Sequence, residues 1–329
     1  MSIKIVSQRA FRVFRFAFGV GSWLTQCDLI LSKRERETTN AKRETYLRPE
    51  FTLSLPNGRT ILLGPRTIVV GVLNVTPDSF SDGGQNFDPL QAIDRALEMQ
   101  DEGADIIEVG GESTRPGATP ISIDDELARV GRVLKVLASR LAVPIAIDTY
   151  KSQIAQAAIE LGASIINDVS ALRFDPAIAE VAAKTGAALV LMHMRGHPAT
   201  MQKLPPNPDL FGEVDSDLNT AIERAASRGV RLEQMVIDPG IGFGKTLEDN
   251  LAIINHLDRF GRFGLPLMIG TSRKSFIGRL TGQPANERLP GGAASVAIAI
   301  SRGARMIRVH DVKEMVEVAR VSDAIVQSY

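Results

Sequence analysis

The chain of 329 residues has very little of several residue types, and each scarcity excludes a class of protein. A single cysteine excludes a disulfide framework and a multi-cysteine metal cluster, and it favours a reducing compartment. One tryptophan and three tyrosines argue against a platform for stacked bases. Basic and acidic side chains number 38 each, so no overall positive charge favours nucleic acid. No apolar run is long enough to span a membrane.

The first 50 residues differ in charge from the rest of the chain. Residues 1–50 hold ten basic and five acidic side chains, whereas residues 51–329 hold 28 and 33. We therefore separate an extension (1–50), poorly ordered or targeting, from one domain (51–329). Three interpretations of the extension stay open: a loosely ordered segment, an organelle-targeting peptide, or an export signal ending at Cys27. We prefer the loosely ordered segment, and we therefore expect the protein to be cytoplasmic.

Strand and helix patterns alternate from Phe51 onward. Asn57-Gly58 lies between two short apolar runs and predicts a β-hairpin. Eight further short apolar runs alternate with segments of helical spacing, as in parallel strands that are buried on both faces. The runs are 68–73, 105–109, 144–147, 164–166, 188–192, 235–237, 266–269 and 306–309. This pattern predicts an α/β fold, a (β/α)8 TIM barrel preceded by a hairpin. The alternative, an open doubly wound sheet, would usually have a phosphate-binding glycine loop after its first strand, and none is present.

Every predicted barrel strand ends at or near a polar residue. These residues are Asn74, Glu108, Asp148, Asn167, His193, Asp238, Ser272 and the pair Arg308 and His310. In a barrel the carboxyl ends of all strands meet at one mouth, where active sites form. Any one of these residues is equally well explained as a helix cap or a turn residue. Eight in succession favour a functional rim.

Charge divides the rim into two groups. The acceptors are Asp148, Asn167 and Asp238, and the cations or donors are Arg115, Lys274, Arg308 and His310. Buried acceptors without partners are costly, so the first group favours a flat heterocycle with many N–H donors, such as a pterin. The second group suits phosphate oxygens. One ligand with both parts would satisfy both groups.

Two glycine-rich loops, 74–84 and 110–117, are long enough to close over such a ligand. Two other patterns resemble known motifs but fail on spacing. Residues 240–246 resemble a P-loop, but Pro239 stands where its first glycine belongs. His193 and His197 have the spacing of a zinc helix, but Met194 replaces the required glutamate.

Seven motifs in order along the chain resemble those of the dihydropteroate synthase family. They are Asn74-Val-Thr-Pro-Asp-Ser-Phe-Ser-Asp-Gly-Gly, Gly110-Gly-Glu-Ser-Thr-Arg-Pro-Gly, Ile147-Asp-Thr, Ile166-Asn-Asp, Asp238-Pro-Gly-Ile-Gly-Phe-Gly-Lys, Ser272-Arg-Lys-Ser-Phe and Arg308-Val-His. The resemblance covers the chain from about residue 51 onward. It implies an enzyme of folate biosynthesis and a sulfonamide target. The implied reaction joins 6-hydroxymethyl-7,8-dihydropterin diphosphate to p-aminobenzoate and releases diphosphate.

The resemblance also implies residue roles. The pterin would be held by Asp148, Asn167, Asp238 and Lys274, above Met192. The diphosphate would be held by Thr114, Arg115, Arg308 and His310, with Asn74 helping to hold Mg²⁺. The p-aminobenzoate pocket would be formed by Phe80, Pro116, Phe243, Lys274 and Ser275, and Asp82 would pair with Arg115 when the loops order. The residues with catalytic roles would be Lys274, Arg308, His310 and Arg115.

The resemblance implies small-molecule substrates, no nucleic acid or membrane partner, and a possible homodimer. Two rival interpretations remain. A pterin-binding methyltransferase would keep the carboxylates but would not need the Arg308 and His310 pair. A non-catalytic pterin-binding protein would be expected to have lost a charge such as Lys274, which is present.

Overall fold

The computed structural model describes residues 48–76, 89–114 and 117–328. The interpretations of residues 1–47 and the roles expected for four site residues therefore lie outside the described residues. These four are Phe80, Asp82, Arg115 and Pro116.

The predicted hairpin is present at the start of the domain. Strand β1 (Phe51–Ser54) pairs antiparallel with β2 (Thr60–Leu63). Asn57 and Gly58 form the tight turn, with φ of 61° and 71°, the left-handed conformation that these two residues adopt most readily. The hairpin buries three leucines against the interior of the barrel, namely Leu53, Leu55 and Leu63. Because these leucines pack against the strand interiors at the amino-terminal end, a ligand is expected only at the opposite end.

The eight apolar runs form one parallel sheet, which confirms the predicted barrel. The strands are β3 (Ile68–Asn74), β4 (Ile106–Gly110), β5 (Ile145–Asp148), β6 (Ile165–Asp168), β7 (Ala188–Met192), β8 (Met235–Asp238), β9 (Met268–Ile269) and β10 (Met306–Val309). Strand β10 pairs with both β3 and β9, and a parallel bridge between Ile237 and Leu267 joins β8 to β9. The sheet is therefore closed.

Helices surround the strands. They are α1 (Pro89–Asp101), α2 (Ile123–Arg140), α3 (Ser152–Glu160), α4 (Ile178–Thr185), α5 (Leu210–Ser227), α6 (Leu247–Asn255), α7 (Ser275–Thr281), α8 (Leu289–Ser301) and α9 (Val312–Val326). In α2 the 3-4 spacing buries Val130, Leu134 and Leu137 completely, and the Ser122 side chain caps the first turn by accepting from the Asp125 N–H. The main core lies between these helices and the outer faces of the strands. Within the described part of the chain, no helix has the length and apolar character needed to cross a bilayer.

The register of the sheet determines which polar residues meet. Asn74 pairs with Gly110, Gly110 with Asp148, and Asp148 with Asn167, so four neighbouring strands end at one level. Gly110 is the one member of this row without a side chain. A Cβ there would lie 3.5 Å from the Asp148 Cβ and 3.9 Å from the Asn74 Oδ1. The glycine therefore leaves room beside the carboxylate at the mouth of the barrel.

Candidate active site

The three acceptors predicted for the rim line a single cavity at the carboxyl ends of the strands, together with the cations Lys274 and Arg308. Its lining includes Thr114, Asp148, Asn167, Met192, Asp238, Phe243, Lys274 and Arg308, together with Val169, Ile241 and Gly270. Closure of the barrel brings these residues together from the ends of strands β4 to β10, with no long loop needed. The two halves expected of one ligand site are therefore adjacent.

Arg308 links the two halves through buried carboxylates. Its Nη2 lies 2.8 Å from Asp148 Oδ2, and its Nε donates to Glu108. Glu108 also accepts from Asn167 Nδ2 at 2.9 Å. The carboxylates raise the pKa of the Arg308 guanidinium even though burial opposes this, so it stays charged. Its Nη1 has no acceptor among the residues that the structure describes.

Two buried oxygens in the cavity have no hydrogen-bond partner among the described residues: Asp148 Oδ1 and Asn167 Oδ1. Both side chains are at most 6% exposed. A buried acceptor without a donor costs about 1–3 kcal/mol, and natural proteins seldom leave two such atoms side by side. The cavity is thus short of N–H donors, which a ligand can supply.

The carboxylates of the cavity are poorly solvated. Burial raises the pKa of Asp238 to about 6, although the Gly240 N–H donates to it at 2.7 Å. Burial, together with the nearby Glu108 charge, raises the pKa of Asp148 to about 7 despite Arg308. Both anions would be stabilised by a cationic or N–H-rich ligand edge.

Lys274 and Phe243 line the same cavity as the acceptors. The Lys274 Nζ lies 4.0 Å from the centre of the Phe243 ring, within cation–π range. Burial and the Arg308 charge lower the pKa of Lys274 to about 8. Gly242 has φ +83°, and a Cβ there would lie 3.2 Å from the Lys274 Cδ, so this glycine makes room for the lysine stem. Ser275 follows at the exposed start of α7.

Two further predicted residues lie at strand ends: His310 directly follows β10, and Asn74 is the last residue of β3. His310 is held by Ser272, whose Oγ lies 3.2 Å from the His310 backbone nitrogen and 3.1 Å from Nδ1. Burial and neighbouring cations lower the pKa of His310 to about 3, so its imidazole is neutral at pH 7. Asn74 is half-buried at the end of β3.

Two elements of the site have no role in the sequence-based prediction. Glu108 is predicted only as a strand-end residue, yet it accepts from both Arg308 and Asn167. Lys151 anchors the loop after β4, because its Nζ lies 2.6 Å from Glu112 and 2.7 Å from Glu126. A glutamate inside the apolar run Ile106–Gly110 is the sequence signal for the first. The second depends on contacts between a loop, a helix and a residue that follows the next strand.

The two histidines whose spacing resembles that of a zinc helix contact different residues. His197 stacks on Phe174, with ring centres 4.3 Å apart. His193 does lie near Glu213 and Asp217. Lys245 Nζ lies 2.9 Å from its Nδ1, so only Nε2, which lies 3.3 Å from Asp217 Oδ2, could serve as a metal ligand.

A closed TIM barrel with unpartnered acceptors and cations at its catalytic end defines a barrel enzyme for an N–H-rich, anionic substrate. The sequence profile of the family described as pterin binding enzyme matches residues 70–310. A dihydropteroate synthase of Synechocystis sp. is 44% identical over 277 residues, which cover 84% of this chain and 96% of that protein.

Solved structures agree with this similarity. The Yersinia pestis dihydropteroate synthase in complex with a sulfonamide drug has a TM-score of 0.79 at 42% identity, covering 85% of this chain and all of that one. The Clostridium difficile dihydropteroate synthase, solved in the presence of pteroic acid, has a TM-score of 0.75 at 43% identity, with coverages of 80% and 98%. The chain belongs to the pterin-binding enzymes and, within them, to the dihydropteroate synthases, which confirms the resemblance.

Proposed function

We propose that the chain joins 6-hydroxymethyl-7,8-dihydropterin diphosphate to p-aminobenzoate, forming 7,8-dihydropteroate and diphosphate. The principal support is the pair of unpartnered buried acceptors, Asp148 Oδ1 and Asn167 Oδ1, in the same cavity as Lys274 and Arg308. A pterin ring supplies N–H donors to the first pair, and the diphosphate supplies charge for the cations. The 44% identity to a dihydropteroate synthase favours this reaction over a pterin-dependent methyl transfer.

The pterin would lie across the acceptor row. Asp238 and Asp148 would accept from its N–H groups, and Asn167 would accept from a further donor. Met192, 4% exposed, lies in an apolar cluster with Val169 and Phe243, so its side chain can pack against the ring face.

Catalysis would come from charge stabilisation at the diphosphate end. The bond between the methylene carbon and the diphosphate oxygen breaks, and its electron pair leaves with the oxygen. Arg308 Nη1, the neutral His310 and Thr114 can each donate to the developing negative charge, and Arg115 would join them from outside the described residues. Positive charge on the methylene spreads into the pterin ring, where the carboxylates stabilise it.

The p-aminobenzoate amine would then form the new C–N bond with its lone pair, after which the nitrogen releases one proton to water. An aryl amine is neutral at pH 7, so this step needs no activated side-chain nucleophile. Phe243 and Lys274 offer a flat apolar surface beside a cation for the ring and its carboxylate, and exposed Ser275 adds a hydroxyl. Phe80 and Pro116 would complete this pocket from outside the described residues, where Asp82 would also pair with Arg115.

Asn74 fits a Mg²⁺ ion that is bound mainly by substrate. Its amide oxygen faces the space above Gly110, next to the Asp148 carboxylate, and Mg²⁺ prefers such oxygen ligands combined with phosphate oxygens. When bound, the ion would neutralise charge on the leaving diphosphate. Asn74 would orient the diphosphate in its presence.

Three broader assignments belong to the proposal. The ligands are small molecules. The chain also forms a homodimer, which is supported by exposed apolar side chains on the neighbouring helices α8 and α9. These are Ile298, Val321 and Ile325, which are 48%, 60% and 63% exposed. Residues 1–50 form an extension to a catalytic domain at 51–329, and the protein acts in the cytoplasm. Light scattering of the purified protein tests the dimer, and a Val321→Lys variant should be monomeric if this face is the interface.

The decisive experiment combines purified protein, Mg²⁺, the pterin diphosphate and p-aminobenzoate, and detects dihydropteroate by mass. Omission of p-aminobenzoate is the blank. An Asn74→Ala variant should need at least tenfold more Mg²⁺ for half-maximal rate, because a ligand oxygen is lost. Folded protein that forms no dihydropteroate under these conditions would refute the proposed reaction.

A further inference from the structure

The glycine-rich segment after β8 folds around a lysine ammonium. Gly240, Gly242 and Gly244 have φ of +70°, +83° and +68°, so every second residue is left-handed. Backbone carbonyls consequently turn inward, and Lys245 Nζ lies 2.9 Å from the Gly240 oxygen and 3.3 Å from the Phe243 oxygen. Carbonyl oxygens repel an anion and bind a cation. This segment, which resembles a P-loop in sequence, is therefore a cradle for a cation.

The cradle fits tightly against the chain that follows β7. A Cβ on Gly240 would lie 1.8 Å from the His193 backbone oxygen, and one on Gly244 would lie 2.6 Å from the Arg195 Cβ. Arg195 Nη1 also donates to the Gly244 oxygen at 3.2 Å. On the side that faces His193 and Arg195, residues 239–244 have no space for a different backbone path. On the other side they enclose Lys245, so their conformation also depends on that side chain.

The ammonium is buried and has no carboxylate in direct contact among the described residues. Lys245 is 6% exposed, and its Nζ lies 2.9 Å from His193 Nδ1. Because Nδ1 accepts, the neutral imidazole has its proton on Nε2, which lies 3.3 Å from Asp217 Oδ2. Burial lowers the pKa of Lys245 to about 7. The Asp238 and Glu213 charges favour the charged form, although burial outweighs them, and the carbonyls and the imidazole accept from its N–H groups.

The cradle determines where Phe243 lies. The Phe243 carbonyl accepts from the ammonium and its ring lies 4.0 Å from the Lys274 Nζ, while the missing side chain of Gly242 leaves room for the Lys274 stem. The position of Asp238 does not depend on the cradle, because Asp238 lies before residues 239–244 and its backbone is fixed by strand pairing with Met192. A change in the cradle should move Phe243 more than Asp238.

We infer that Lys245 is a positioning residue that shapes residues 239–244 so that Phe243 and Lys274 form the p-aminobenzoate side of the site. This inference rests on the proposed function for the identity of the second substrate. Lys245 touches no substrate in this scheme, and it acts through the backbone of the segment that it stabilises.

The test is Lys245→Met, which keeps the length of the side chain and removes the charge and the three N–H donors. We expect KM for p-aminobenzoate to rise at least tenfold, while KM for the pterin diphosphate changes less than threefold. Leu134→Ala, in the α2 core, supplies a destabilised control whose two KM values should both stay near wild type. Lys135→Met, on the exposed face of α2, is the control for loss of a lysine.

Two further measurements separate positioning from general damage. In a Phe243→Ala background, Lys245→Met should raise KM for p-aminobenzoate less than threefold further, because the ring that it positions is already gone. Amide hydrogen exchange should increase in residues 239–245 of K245M and stay unchanged in 106–114. If K245M does not fold, Lys245→Gln, which keeps two N–H donors, is measured in the same way.

Equal rises in both KM values, or full additivity with Phe243→Ala, would overturn the positioning role. Wild-type values in K245M would also overturn it. Failure of the proposed function looks different, because the wild-type protein itself would then form no dihydropteroate.

Discussion

Replacing Asp238 with asparagine should weaken ligand binding and stabilise the ligand-free protein at the same time. The carboxyl group is 2% exposed, and burial raises its pKa from 3.8 to about 6. A group with a raised folded-state pKa favours folding in its protonated form, so the anion costs about 3 kcal/mol at pH 8. The amide is neutral and still accepts from the Gly240 N–H. We expect the melting temperature of Asp238→Asn to be several degrees above wild type at pH 8.

The sign of this effect fixes its pH dependence. The cost of the anion is full above the folded-state pKa, falls to about half near pH 5, and is nearly absent below the unfolded value of 3.8. The gain in melting temperature should shrink in the same way as the pH is lowered. Ligand affinity has the opposite requirement, since the anion accepts from the pterin. Loss of a buried charged partner costs about 2–5 kcal/mol, or roughly 30-fold to several thousand-fold in Kd for the pterin diphosphate.

Scanning fluorimetry across pH 4–8 measures the first effect, and isothermal titration calorimetry at pH 8 measures the second. Asp258→Asn, at an exposed position, is the matched control and should alter neither quantity. A variant that melts at a lower temperature than wild type and binds the pterin diphosphate normally would refute the reasoning for Asp238.

The other predictions concern the cations and the start of the domain. Lys274→Ala should lower kcat/KM at least tenfold with little change in melting temperature, which steady-state kinetics and calorimetry would check; near-normal kcat/KM would contradict its role. Arg308→Ala should also lower kcat/KM at least tenfold. It should destabilise the fold by about 3–5 kcal/mol, measured by urea unfolding, because the buried carboxylates of Glu108 and Asp148 lose their partner. A chain starting at Arg48 should keep full activity. A chain starting at Phe51 should stay active but melt at a lower temperature, because it lacks the hydrogen bonds from Arg48 to Asp323 and to the Ala304 oxygen. A folded but inactive protein starting at Arg48 would show that the extension is needed.

Much of the fold could be predicted because its signals are local. Short apolar runs between glycine and proline turns are required wherever strands are buried on both faces, so all eight barrel strands were found, two of them with the observed bounds. Asn57-Gly58 predicted its turn because few other pairs adopt left-handed φ at both positions. Only the seventh strand was overestimated: its run 266–269 pairs regularly over Met268–Ile269 alone, because Pro266 has no N–H to donate.

The site was less predictable because its contacts join distant parts of the chain. Glu108 and Arg308 are 200 residues apart, and their pairing depends on β10 lying beside β3. Lys245 looked like part of a failed phosphate motif until the left-handed glycines turned their carbonyls onto its ammonium. Glu108 and Lys245 therefore act through groups that lie far from them in the sequence, so no short motif includes both partners.

The sequence alone determined the residue types and their order: eight buried strands, each followed by a polar side chain, because hydrophobic periodicity and turn chemistry act over a few residues. Tertiary structure alone decided which of those polar groups meet, which oxygens of Asp148 and Asn167 stay without donors, and which lysine faces the cavity. Those outcomes depend on barrel closure and on strand register, which fix distances between residues far apart in the chain.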